Sequence, residues 1–275
     1  VRFLFVHLAV AFHLTAAEAP IRQLYVFGDS YSDTGNGYVD GNGPTAVAYF
    51  AGHLGIQLLP ASDPKAGPRS SLNFAVSGAG TGKGAGRKVG DARLGIGMEN
   101  QVDDFAARVK SKQVQFDPAT TLFYLAGGLN DRRLESAETV RNLEARVRSL
   151  AGLGATRFAI ALLPTAIPSF RDVSLRLNPE IEKVAQLQLP GVRIRLSQWG
   201  PFFDKVMQNP KDYGIENTAD ACAGRAIFNE DTTACKTPQA HYFYHAGHPS
   251  TAVHKAVGQM LYAEFRGLRS RSTSE

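Results

Sequence analysis

Ser30 stands in FGDSYSDTGN, flanked by Asp29 and Asp33 and fenced by glycines, directly after the apolar run LYVF. A hydroxyl at the tip of a buried strand has two explanations. Gly-Asp-Ser is ordinary turn chemistry, and Asp or Ser commonly caps a following helix. The chemical reading makes Ser30 a nucleophile, and it requires two further parts. One is a general base, because a free hydroxyl is scarcely nucleophilic at neutral pH. His248, in HAGHPSTAVH, can take that part. Pro249 presets the first turn of a final helix and Ser250 can cap it, which places the imidazole at a helix entrance. A surface-turn histidine is the structural alternative. The other part is an oxyanion site, where one donor is worth about 2.7–4 kcal/mol in a well-studied protease. The backbone N–H of Ser30, that of Gly78 in NFAVSGAGTG and the side-chain amide of Asn130 in GGLND can supply it. Each of these also reads as a plain turn residue.

The elements that must position these groups are readable as a pattern. Strand-length apolar runs at 23–27, 72–76, 121–126, 157–163 and 192–196 alternate with helical spacings at 46–54, 98–109, 137–153, 201–208 and 250–266. Such alternation predicts parallel pairing, right-handed crossovers and one sheet covered on both faces. Ligands in these sheets bind beyond the carboxyl ends of the strands. Ser30 follows the first strand, Gly78 the second and Asn130 the third, so all three fall on one edge. That convergence favours the catalytic reading of Ser30.

In chain order, FGDSYSDTGN, NFAVSGAGTG, GGLND and HPS resemble the four blocks of the SGNH, or GDSL, esterase/lipase family. The likeness runs from about Leu24 to Leu261, and NPKDYGIENTADAC is similar to a segment before the histidine block of secreted members. The resemblance implies a flavodoxin-like three-layer α/β/α sandwich with a mostly parallel central sheet, as one domain over residues 20–268. It also implies carboxylic-ester hydrolysis through an acyl-enzyme, with Ser30 as nucleophile, His248 as base and then acid, and Ser30, Gly78 and Asn130 as oxyanion hole. One departure stands out. The family usually carries Asp three positions before the catalytic histidine, and this chain has His245 there. A neutral imidazole can orient His248 by accepting its N–H, but offers no full negative charge to the imidazolium. His245 is therefore expected to orient the base of a Ser30–His248 dyad that works only where His245 is neutral. Two alternatives stay beside ester hydrolysis: acyl transfer from the same site, and a binding protein impaired by the missing aspartate. Asp33, Thr34, Phe50, Tyr242 and Tyr244 are expected around the approach, the aromatics being equally readable as core.

Composition narrows the rest. A chain of 275 residues suits one sizeable α/β domain, and 44% apolar with 20% charged residues is ordinary for a globular protein. The net charge of +5 is spread along the chain, without the basic stripe and interleaved aromatics that nucleic acid needs. SGAGTGKG lacks both the first glycine and the final Ser or Thr of a phosphate loop. His241, His245, His248 and His254 lie close in sequence, but no cysteine or carboxylate completes a metal set, so neither metal nor cofactor is expected. The first residues, VRFLFVHLAVAFHLTAAEAP, read as a signal peptide over 1–19, cut after Ala19 or Ala17. No later segment reaches transmembrane length, which predicts a secreted protein, extracellular or periplasmic. Cys222 and Cys235 fit export as a disulfide, two free buried thiols being the alternative. A bridge closing a loop of that order contributes about 3 kcal/mol in the chain-entropy account. Residues 269–275 read as a flexible tail. The expected partner is an ester, as a small molecule, a lipid or an acylated glycan, met by a monomer.

Overall fold

The computed structural model describes residues 19–266. The expected leader, all but its last residue, and the expected tail at 269–275 lie outside the described residues.

The strands, in chain order, are β1 (Gln23–Gly28), β2 (Leu58–Pro60), β3 (Ser71–Asn73), β4 (Ala85–Val89), β5 (Ala92–Ile96) and β6 (Thr121–Ala126). They continue with β7 (Arg157–Ala161), β8 (Arg193–Ser197), β9 (Asn217–Ala221), β10 (His241–His245) and β11 (His248–Pro249). The helices are α1 (Ala46–His53), α2 (Met98–Lys110), α3 (Ser136–Gly152), α4 (Arg171–Val184), α5 (Trp199–Gln208) and α6 (Thr251–Arg266).

Every residue of β1 and β6 is buried. Continuous apolar runs of this kind belong in the middle of a parallel sheet, where both faces are covered. The two strands pair in parallel along their whole length, from Gln23 opposite Thr121 to Gly28 opposite Ala126. Around them forms a six-stranded sheet of order β2-β3-β1-β6-β7-β8, parallel throughout. Its outer strand β8 alternates exposed arginines, Arg193 and Arg195, with half-buried apolar residues, as an edge exposed to water should. Helices α1, α5 and α6 pack together on one face, and α2, α3 and α4 on the other. Alternate strand residues feed the two cores: Tyr25 and Phe123 meet Phe105 of α2, while Tyr124 meets Phe50 of α1 and Phe265 of α6. The expected three-layer α/β/α sandwich is the fold.

Leaving out the short edge strand β2, the order is the flavodoxin-like one, which reverses between β1 and β6. Chains leaving those two strands turn to opposite sides and open a crevice there, the usual ligand position in such sheets. Ser30 and Asn130 leave the carboxyl ends of these very strands.

Several parts of the architecture go beyond the predicted elements. Helix α4 contains Pro179, which argues against a helix when read from sequence. Its apolar residues Val173, Leu177, Ile181 and Val184 nevertheless form one buried stripe. Pro179 and Leu175 lie on the exposed face, where water can satisfy the Leu175 carbonyl that proline leaves unbonded. The β4–β5 hairpin and the small β9-β10-β11 sheet are likewise additions, both built from short strands whose residues are mostly exposed or half-buried. Cys222 and Cys235 are joined as a disulfide at the end of β9. No helix among the described residues is long and apolar enough to cross a membrane.

Candidate active site

Gly28 closes β1 so tightly against β6 that a Cβ would lie 2.4 Å from the Ala126 carbonyl oxygen. Its backbone is finished by a side chain: Gly28 N–H donates to Gln101 Oε1 at 2.9 Å, and Gln101 Nε2 donates to Gly28 O at 2.8 Å. The chain then turns, with Ser32 and Asp33 N–H both donating to Asp29 O, and Ser30 rides on that turn, 8% exposed.

The two flanking aspartates do different things. Asp33 is buried and spends its carboxylate on backbone N–H groups of Gly35, Asn36, Gly37, Tyr38 and Ser77. It therefore ties the loop after Ser30 to the residue preceding Gly78. Among the described residues, Asp29 Oδ1 accepts the Tyr31 N–H and the other carboxylate oxygen is buried with no hydrogen-bond partner. Burial, reinforced by the nearby Asp131 carboxylate, pushes the Asp29 pKa up to about 7.

Gly78 has φ +79°, a left-handed angle that strains any residue with a side chain. Its loop is clamped to the loop after β6 from both directions. Asn130 Nδ2 donates to Ala79 O at 2.9 Å, leaving its second hydrogen available, and Asp131 accepts from Thr81 N–H at 3.1 Å.

His248 enters from the far end of the chain. Its Nε2 lies 2.9 Å from Ser30 Oγ, across 218 positions of sequence. Its Nδ1 lies 3.2 Å from Ala246 O, and since a carbonyl only accepts, this contact favours the tautomer with the proton on Nδ1, in which Nε2 can accept the serine proton. Tyr31, whose hydroxyl donates to Gly247 O at 2.6 Å, anchors this turn to the Ser30 turn. Burial holds the His248 pKa below the ordinary histidine value, and the Asp40 carboxylate opposes that shift.

Asp40 is the residue that sequence reasoning missed. It is 8% exposed, with Oδ2 3.3 Å from His248 Nε2 and Oδ1 2.7 Å from His245 Nδ1. Arg225 Nη1 adds a cation 3.8 Å from Oδ2. His245 thus stands one step further out than expected, donating to a carboxylate that faces His248. The expected direct pairing of His245 with His248 is instead two imidazoles with a carboxylate between them. In VDGNGP nothing separates Asp40 from any turn aspartate, so only the folded loop reveals it.

The other histidines are committed elsewhere. His254 Nδ1 accepts the Ala46 N–H at 3.1 Å, capping α1, and burial drives its pKa down to about 3, which keeps it neutral. His241 Nδ1 lies 3.0 Å from Thr237 O.

Ser30, Gly78, Asn130, Asp40 and His248 all line one cavity of about 820 Å³. The approach is not where it was expected. Among the described residues, that wall includes none of Asp33, Thr34, Phe50, Tyr242 or Tyr244. Phe50 and Tyr242 are fully buried core, and Thr34 accepts from Asn73 Nδ2 at 3.0 Å. The wall comes instead from the β4–β5 hairpin (Arg87, Leu94), the loop after Asn130 (Arg132, Arg133), Phe170, and the disulfide-closed segment (Arg225, Ile227, Phe228).

A doubly wound α/β sheet with a serine–imidazole pair at its switch point is the arrangement of a serine-type hydrolase fold. The chain matches the family described as GDSL-like Lipase/Acylhydrolase over residues 24–261, and it belongs to that family. It is 27% identical to the thermolabile hemolysin of Vibrio parahaemolyticus over 274 residues, covering 88% of this chain and 63% of that protein. The GDSL esterase/lipase EXL3 of Arabidopsis thaliana is 25% identical, with 83% of this chain and 76% of the relative aligned. Among solved structures, the α/β-hydrolase LAE5 from the Lake Arreo metagenome superposes with a TM-score of 0.50 at 14% identity, over 92% of this chain and 99% of that one. The chain thus spans under two thirds of the hemolysin's length.

Proposed function

We propose that the protein is an exported ester hydrolase in which Ser30 forms an acyl-enzyme and His248 serves as base and then as acid. The observation carrying this reading is the 2.9 Å approach of Ser30 Oγ to His248 Nε2, with the ring's other nitrogen 3.2 Å from the Ala246 carbonyl. Ser30 gives its proton to His248 Nε2 as Oγ attacks the ester carbonyl. The oxyanion meets the N–H groups of Ser30 and Gly78 and the second Nδ2 hydrogen of Asn130. His248 then protonates the departing alkoxide. A water loses its proton to Nε2, attacks the acyl-serine, and releases the acid and the free hydroxyl. Asp40 supports this reading against that of an impaired binding protein, because it sets a carboxylate beside the nitrogen that becomes charged. The Cys222–Cys235 bridge supports an oxidising compartment.

Labelling with a serine-directed phosphonate tests the proposal. The folded protein is expected to gain one adduct, on Ser30, and hydrolysis should cease in step. No adduct on Ser30 would end the reading. A smaller test addresses the oxyanion site. Asn130→Ala should lower kcat by about 10²–10³ with KM little changed, as loss of one such donor does. A loss below about threefold, within the scatter of ordinary surface substitutions, would take Asn130 out of that role.

A further inference from the structure

The cavity wall has an unusual charge. Four of its sixteen residues are arginine, whereas Lys and Arg together are 30 of the 275 residues in the chain. Arg87, the Arg132–Arg133 pair and Arg225, far apart in sequence, are brought together at this mouth by the fold. Arg225 is already committed, to Glu230 at 3.3 Å and to Asp40 at 3.8 Å. Among the described residues, the one carboxylate on the wall, Asp40, is committed to the two histidines. Arg87, Arg132 and Arg133 pair with no carboxylate among the described residues. Arg132 is also placed: its guanidinium lies 4.9 Å over the Phe170 ring, and that ring packs 6.3 Å from the His248 ring. An unpaired guanidinium therefore sits one side chain away from the reacting centre.

Resting on the ester-hydrolase reading above, we propose that the substrate carries an anionic group, a phosphate being the fitting case, on the alcohol portion of its ester, bound by Arg87, Arg132 and Arg133. Leu94, Ile227 and Phe170 add apolar surface for an acyl chain to the same wall, with Arg87 opposite Leu94 in the hairpin and Arg132 over Phe170, and the anion is assigned to the alcohol portion because an acyl chain carries no charge. The planar fork of arginine matches phosphate oxygens two at a time, and several such groups converging on one cavity also concentrate anions within it.

The test compares 1-butyrylglycerol 3-phosphate with 1-butyrylglycerol, esters that share the bond to be cut and differ in the anion. Wild-type protein is expected to favour the phosphate ester by about tenfold or more in kcat/KM at low salt, the preference shrinking as ionic strength rises. Replacing Arg87, Arg132 and Arg133 together by Gln should bring the ratio towards one. Arg148→Gln, outside the cavity, should leave it in place. Because the readout is a ratio within one sample, a partly folded variant does not distort it. The same two ligands titrated calorimetrically into Ser30→Ala separate this proposal from the hydrolase reading. Stronger binding of the phosphate ester without wild-type turnover keeps the anion site and ends the hydrolase. Equal binding of the two overturns the anion site even if both are hydrolysed. A preference seen only when the ester is presented in anionic vesicles, and absent from the soluble pair, also overturns it, since surface adsorption then accounts for the rate.

Discussion

Ser30→Ala is expected to lower kcat by about 10⁵–10⁶, and the double variant Ser30→Ala/His248→Ala to be no slower than Ser30→Ala alone. The two side chains form one unit: Nε2 accepts the proton that makes Oγ a nucleophile, and without Oγ there is no proton to accept. Their losses therefore overlap instead of adding. The residual rate should still exceed that of water, because the donors at Gly78 and Asn130 remain to bind an oxyanion. Initial rates with a 4-nitrophenyl ester, on variants checked against wild-type carry-over by phosphonate titration, measure the wild type, both single variants and the double variant. A double variant slower by the product of the two single losses would show that serine and histidine act independently. A single-variant loss below about tenfold, or 1.4 kcal/mol of barrier, would move the chemistry away from Ser30.

What could be read in the sequence was whatever depends on local pattern. Strands β1 and β6 are uninterrupted apolar runs, and burial on both faces requires that composition, so their place in one parallel sheet and the edge at which Ser30 and Asn130 emerge followed directly. The order of the four motifs along the chain added His248, whose own surroundings would have passed for a surface turn. Elements whose stability comes from tertiary contact were harder to see. Helix α4 carries a proline that only its solvent-facing position renders harmless. The β4–β5 hairpin is exposed or half-buried along most of its length, so it has no buried apolar run to announce it, yet it supplies a wall of the cavity. Asp40 was illegible for a third reason. Its meaning lies entirely in two contacts made across 205 and 208 positions, and a lone aspartate in a glycine-rich turn has no spacing that points to them. Position 245 misled for the same reason, since a motif departure records a substitution in sequence and is silent about a compensating group from elsewhere.

Asp40→Asn isolates that compensation. In a protease triad the equivalent change costs about 10⁴ in kcat, mainly because the imidazole adopts the wrong tautomer. Here the Ala246 carbonyl holds the tautomer through Nδ1, and Asp40 faces Nε2, so only the charge is lost. The expected fall in kcat is accordingly smaller, about 10²–10³. The direction of the pH change separates an electrostatic role from a merely structural one. Burial depresses the His248 pKa and Asp40 opposes the depression, so removing the negative charge lowers the pKa further. The base works only when neutral, and activity disappears as pH falls through its pKa. The acid limb of kcat/KM should therefore move to lower pH in Asp40→Asn, even as the plateau drops. His245→Asp carries the complementary test. It would set a second carboxylate near Asp40 Oδ1, which now accepts from His245 Nδ1 at 2.7 Å, so restoring the family's usual residue should lower the rate. An acid limb that stays in place in Asp40→Asn, together with a faster His245→Asp, would hand the orienting role back to position 245.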